Sequence, residues 1–430
     1  MNFLPSFQPP VLLTHVLDGY DTVLLAELSQ RQEKLVFIAR DEGRALRLRD
    51  QLAFFSPKKE VLFFPGWDCL PYDRSSPHPD IQAQRLHSLT TLSSNSESYL
   101  LITSIQALLQ RVPPKEAFHG RLWSFNVGQE IDHTLLLDFL QKNGYVRRES
   151  VREWGEYAIR GGLLDLFPPG YSLPFRLDFF GSTLESLRIF DPLSQISTGK
   201  VENLVLKPMG EINLTQETIE RFRKGYRAAF GSTESTDPLY TAISEGRAYA
   251  GYEHWLPLFY EHLSSLLDYV SGAFFCLDDH IEDAGNVFIE QIKDHYQTRL
   301  EFESLEKHGV PYHPLPPETL YDLKNSWKKV LPASKKIIFT PFDHPGFEGK
   351  VVSAAGKKTP SFTGMRASTK NIYTSVVETL QAYQKKGKQI LLMAVTHGSA
   401  ERLSHILEEH GFEPFRRIET FSDVFKGTTP

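Results

Sequence analysis

Cysteine is scarce: Cys69 and Cys276 are the only two in 430 residues. Two distant thiols make no disulfide framework, and they suit a protein kept reduced in the cytoplasm. No apolar run approaches the roughly 20 residues that a membrane-spanning helix needs. The opening residues, MNFLPSFQPPVLLTHVL, have no basic lead and carry early prolines, so they do not read as a signal peptide. A basic excess is missing as well. The net charge of −6 argues against strong nucleic-acid binding, which needs a concentrated basic surface. The basic pairs Lys58-Lys59, Lys335-Lys336, Lys357-Lys358 and Lys385-Lys386 are scattered and read as solvated loop charges. Their other reading is weak DNA contact.

Several chemical signatures are also absent. Gly-x-x-x-x-Gly-Lys-Ser/Thr, the loop that cradles phosphates, occurs nowhere. The turn where it would lie, His15 to Thr22, holds one glycine and no lysine, and Asp18 and Asp21 there would repel phosphate. No Gly-x-Ser-x-Gly elbow exists. The pairs His308/His313 and His405/His410 have no Cys or carboxylate partner at ligand spacing, so no metal site is expected.

What remains is globular. A hydrophobic share of 41% with 23% charged residues is ordinary for a packed protein, and the length suggests roughly three domains. The first 120 residues alternate short apolar runs with amphipathic stretches. Leu35–Ala39, Val61–Phe64 and Leu100–Thr103 read as buried parallel strands. Thr22–Gln30, Glu42–Phe55, Ile81–Leu92 and the stretch after Ser104 read as helices, with Asp41 and Asp80 as caps. This is the grammar of a doubly wound α/β domain. The Trp67–Tyr72 loop reads as a rigid connection, or as the wall of a former nucleotide or DNA cleft with Arg85 its charged member.

Residues 121–211 change to short strands, His133–Asn143 being a helical insert. Residues 212–330 return to helix, with an aromatic core segment at 248–259, a strand at Phe274–Leu277 and, after Asp279, a long helix to about His308. The strand-rich part therefore looks inserted into a split domain. Residues 332–365 read as a linker. A helix from Thr369 to Lys385, a strand at Gln389–Ala394 and a helix at Ala400–His410 form a small α/β piece too short to close a sheet. The expected divisions are 1–120, 121–211, 212–345 and 346–430.

Trp154 to Pro192 carries the strongest candidate site. Phe175–Phe180 alternates: Phe175, Leu177 and Phe179 take one face, and Arg176, Asp178 and Phe180 the other. Arg160, beside the Gly161-Gly162 pair, can reach the second face. A ring beside a guanidinium there suggests a binding anchor; a solvated strand face is the plainer reading. Asp165 and Asp178 would pair as acid and base, or more simply as salt-bridge partners of Arg160 and Arg176.

Three long motifs then agree. WGEYAIRGGLLDLFPPGYSLPFRLDFFGSTLESLRIFDPLSQIS, FPGWDCLPYDRSSPHPDIQAQRL and GYEHWLPLFY resemble, in order, the N-terminal module of the bacterial transcription-repair coupling factor (Mfd) family. The resemblance implies a split nucleotide fold like part of the excision-repair protein UvrB. It implies a lost ATP site, an inserted domain that docks the repair protein UvrA, and a small third domain. It carries the UvrA-binding role onto Arg160, Arg176 and Phe180. The family's polymerase-binding and motor domains have no counterpart in this text. ATP, magnesium, RNA polymerase and DNA are therefore expected to engage those domains, with no cofactor here. The alternative is a nucleotide- or DNA-binding helicase-like fragment with its own activity.

Overall fold

A computed structural model describes residues 11–425, apart from 95–96, 232–236, 306–310, 345–346, 348, 363–370, 395 and 414. The readings at His308, Thr369 and the extreme N-terminus lie outside these residues. The chain divides into two units, residues 1–354 and 355–430.

In the first unit, four strands precede the insert: β1 (Val11–Thr14), β2 (Lys34–Ala39), β3 (Val61–Phe64) and β4 (Tyr99–Ser104). Helices α1 (Tyr20–Arg31), α2 (Glu42–Phe55), α3 (Pro79–Ser93) and α4 (Ile105–Leu109) connect or follow them. Asp41 caps α2 by accepting from the Arg44 amide, and Ser104 caps α4 by accepting from Ala107. The expected Asp80 cap is displaced. Pro79 fits the first helical position, so His78 becomes the cap and its ring accepts from the Asp80 amide.

The insert follows. Its strands are β5 (Trp123–Asn126), β6 (Val146–Arg147), β7 (Glu156–Arg160), β8 (Leu163–Leu166), β9 (Phe175–Phe180), β10 (Thr183–Phe190), β11 (Ser197–Val201) and β12 (Asn203–Leu206). Helix α5 (His133–Lys142) starts on an Asp132 cap. Strands β6 to β11 form a six-stranded sheet in the order β11-β10-β9-β8-β7-β6, antiparallel except at β6–β7; β5 and β12 pair separately. Phe125, Leu136, Leu140, Tyr157, Leu164, Leu166, Leu177 and Leu187 build its core.

After the insert come α6 (Gln216–Phe230), α7 (Pro238–Ser244), α8 (Leu266–Tyr269), β13 (Phe274–Asp278), α9 (Ile281–Leu305), α10 (Trp327–Val330), β14 (Lys336–Phe339) and β15 (Lys350–Ser353). An aromatic core holds this half together: Phe222 and Tyr226 of α6 meet Tyr240, Trp255 and Phe259. The second half then completes the first. All seven strands of the large sheet are parallel, in the order β15-β1-β14-β13-β2-β4-β3. On β2, Val36 and Ile38 join a core with Leu86, Leu89 and Ile105, and the alternating Leu35 and Phe37 are as fully buried on the other face. This is a split doubly wound domain with a strand-rich insertion.

Two expectations fail here. Residues 332–365 are no linker, because Lys336–Phe339 is an interior strand and Lys350–Ser353 an edge strand of the large sheet. Residues 350–353 thus lie with the first unit. Strand β1 passed unread, since Val11–Thr14 is short and follows two prolines. In the second unit, α11 (Ile372–Lys385) and α12 (His397–Glu409) pack through Val377, Leu380, Leu407 and Phe412. The strand foreseen at Gln389–Ala394 is not formed; Leu391, Leu392 and Met393 are exposed there. A strand needs a neighbour to satisfy its backbone groups, and no strand is described in this unit.

A half-buried polar cluster joins the insert to α3. The Lys207 ammonium lies 2.7 Å from His87 Nδ1 and 3.3 Å from Thr91 Oγ1. Burial, then Lys207, pushes the His87 pKa down to about 4, and burial pushes Lys207 down to about 8. His87 is therefore neutral when folded and ordinary when unfolded. Its stabilising share is complete above pH 6.5 and is lost as pH falls towards 4, up to about 3 kcal/mol. His87→Gln should flatten the stability–pH curve in that window, as read by urea unfolding at pH 4.5, 5.5 and 7; an unchanged slope refutes the assignment.

Candidate functional site: one face of the six-stranded sheet

Register decides which side chains share the outer face. Arg160 pairs with Leu163 and Leu163 with Asp178, so these three form one row. Phe180 stands two residues further along β9, on the same face. The next row is Ala158, Asp165, Arg176 and Arg188. The sheet thus brings Arg160, Arg176 and Phe180 onto one face.

Two tight turns set the exposed end of that face. Arg160-Gly161-Gly162-Leu163 and Phe180-Gly181-Ser182-Thr183 are two-residue hairpins. Gly161 and Gly181 each take the first central position at φ +60°, where a side chain is strained. Gly162 lets β9 approach, since a Cβ there would lie 2.8 Å from the Phe179 carbonyl. Arg160 and Phe180 flank these turns. The Phe180 ring is 76% exposed. Arg160 is exposed and donates to the Glu149 carbonyl at 2.6 Å.

Arg176 is differently placed. Its side chain is only 16% exposed. Nε and Nη2 donate to the two oxygens of Asp165 at 2.7 and 2.9 Å, and Nη1 donates to the Gln195 carbonyl at 3.4 Å. Its guanidinium lies 4.7 Å from the centre of the Phe190 ring. The bond to Asp165 raises the Arg176 pKa further. Arg176 directly opposes Arg188, a like-charge pair that would push the strands apart. Asp165 answers the first arginine and Asp178 the second, at 2.8 Å. Both carboxylates are therefore ion-pair partners, each to a different arginine. The expected link from Arg160 to a strand carboxylate is replaced by the Glu149 carbonyl. Arg188 went unnoticed in the sequence, although β10's alternation places it on this face.

The other candidates resolve into structure. Arg85 is fully buried, so it walls no cleft. In the Trp67–Tyr72 loop Leu70 is 60% exposed, whereas Tyr72 is buried. His405 faces Glu409 at 3.3 Å, His410 accompanies Tyr373, and His313 stacks on Phe230. No group of three or more His, Cys, Asp or Glu among the described residues is placed to hold a metal. Both cysteines are free, and burial pushes the Cys69 thiol up to about 12.

Residues 123–211, the whole of the insert, match the UvrB interaction domain family. Over 401 residues the chain is 30% identical to the transcription-repair-coupling factor of Rickettsia bellii, covering 93% of this chain and 35% of that protein. It is 36% identical over 331 residues to the one from Escherichia coli, covering 74% and 28%. The chain belongs to the transcription-repair coupling factor family. It spans about a third of the length of these relatives. The family's Bacillus subtilis member is more distant, 22% identical over 428 residues. Within this family the UvrB-interaction segment coincides with the sheet that displays Phe180 and Arg160. No helix among the described residues is long and apolar enough to cross a membrane.

Proposed function

We propose that residues 123–211 are a docking module for UvrA, and that Arg160, Arg176 and Phe180 belong to the docking face. The observation that carries this reading is a large aromatic ring held 76% exposed on the same sheet face as Arg160, at a two-hairpin edge inside the segment that matches the UvrB interaction domain. Solvated rings on short hairpins are suited to insertion into a partner's apolar pocket, and arginine adds directional bonds to acidic groups. In the cell this module brings nucleotide excision repair to RNA polymerase stalled at DNA lesions. Translocation on DNA driven by ATP, and contact with the polymerase, we assign to parts of the relatives beyond the matched third. The setting is the bacterial cytoplasm.

Titration calorimetry with purified UvrA tests the reading. Phe180→Ala should weaken binding by about 1–4 kcal/mol. It should leave the melting temperature unchanged, because the ring is solvated. Unaltered affinity in a variant with Arg160, Arg176 and Phe180 all changed to Ala would rule the face out.

A further inference from the structure

The three most exposed large apolar side chains among the described residues are Leu193 (86%), Phe180 (76%) and Ile196 (66%). All three belong to the same six-stranded sheet or its hairpins. Leu193 and Ile196 sit on the connection from β10 to β11, at the opposite end of β9 from Phe180. That connection is built, not loose. Asp191 accepts from the amides of Leu193 and Ser194 and from the Ser194 hydroxyl. Its own amide donates to the Ile196 carbonyl at 3.0 Å. Gln195 holds φ +61° and donates through Nε2 to the carbonyls of Val151 and Pro192. Arg176 closes the arrangement with its bond to the Gln195 carbonyl.

We propose that the Asp191–Ile196 loop is a second apolar contact of the docking face, and that Arg176 is a positioning residue that holds it. The proposal rests on the UvrA reading and deepens it. The loop lies on the docking side, because it bonds Arg176 and Val151, and Val151 packs on Phe190 and Ala158 of that face. Six residues of β9 separate the two apolar ends, about 17 Å of strand. A standard interface of about 800 Å² per partner is roughly 30 Å across and covers both. Two large aliphatic side chains held in water on a hydrogen-bonded loop offer apolar area that an occupant would bury at little ordering cost. The occupant we commit to is UvrA, presenting apolar surface at both ends and acidic groups towards Arg160 and Arg188.

The test uses the whole chain and purified UvrA. Leu193→Ser with Ile196→Ser should weaken binding ten- to a hundredfold at unchanged melting temperature. Arg176→Lys keeps the charge but not the planar fork. It should weaken binding similarly, speed amide exchange at residues 193–196, and add little in the Leu193→Ser/Ile196→Ser background. If the serine pair binds like the parent while Phe180→Ala does not, the loop proposal falls and the UvrA reading stands. If Phe180→Ala also binds like the parent, the reading itself falls. If the serine pair changes only self-association in sedimentation, the loop meets a second copy and the proposal is overturned. Additive losses from Arg176→Lys and the serine pair, with unchanged exchange, would make Arg176 a direct contact instead.

Discussion

Arg85→Met is expected to lower the free energy of unfolding by about 3–5 kcal/mol. The guanidinium is wholly buried. Its Nε donates to Glu211 at 2.5 Å and its Nη1 to the Pro65 carbonyl at 2.7 Å, and it lies 4.2 Å from the Phe64 ring centre. Glu211 closes the insert, and its own carbonyl accepts from the Tyr260 hydroxyl. One side chain on α3 thus ties the end of β3, the exit of the insert and the second half of the split domain. Removing it leaves the Glu211 carboxylate buried without its cation, which costs more than the pair contributes. The companion variant separates these effects. Arg85→Met with Glu211→Leu should recover a large part of the loss, because an apolar pair of similar volume replaces an ion pair with little penalty. Urea unfolding checks both. A loss under about 1 kcal/mol in the single variant, or no recovery in the double, would contradict a buried Arg85–Glu211 pair.

Arg85 also shows what a sequence can carry and what it cannot. The helix holding it was legible, since Ile81–Leu92 has the right period and proline-rich text before it. Its partner was not, because Glu211 lies 126 residues away across an inserted domain. The same division holds for the docking face. Alternation along Phe175–Phe180 placed Arg176 and Phe180 together, because side-chain direction in a strand has period two. Cross-strand register does not follow from alternation. The bidentate bond that commits Arg176 to Asp165 was therefore visible only as one of two readings. Leu193 and Ile196 carried a signal that went unused: two aliphatic residues in a polar turn, Asp-Pro-Leu-Ser-Gln-Ile. Strand β14 was hidden by its flanks, since lysines and a proline before Lys336–Phe339 give the window the composition of a linker. The apolar run at Gln389–Ala394 failed the other way. Composition marks a strand, but pairing makes one.

Arg44→Met should cost a comparable amount, about 3–5 kcal/mol at neutral pH, and the loss should grow as pH rises. Arg44 bonds Asp278 through Nε at 2.8 Å and Asp21 through Nη2 at 2.6 Å, and reaches Asp18 at 3.2 Å. Asp21 and Asp278 are fully buried. Burial raises the Asp21 carboxyl even with Arg44 beside it. For Arg44 burial works against the charge, but the two aspartates outweigh it and raise its pKa. Without Arg44, Asp21 loses its lowering partner, so its folded pKa climbs further above the unfolded value near 3.8. A group shifted that way is harmless at low pH and destabilising once pH exceeds its unfolded pKa. The variant should thus lie nearer the parent at pH 5 than at pH 8, and a pH-independent loss would break the argument. The same cluster bears on nucleotides. Asp18 and Asp21 flank the start of α1, directly after the β1 turn, where a doubly wound fold presents its helix N-terminus to phosphate. Carboxylates locked there by Arg44 repel an anion. Magnesium-ATP is expected to leave the parent's melting temperature unmoved, and a clear rise would restore a nucleotide site to this domain.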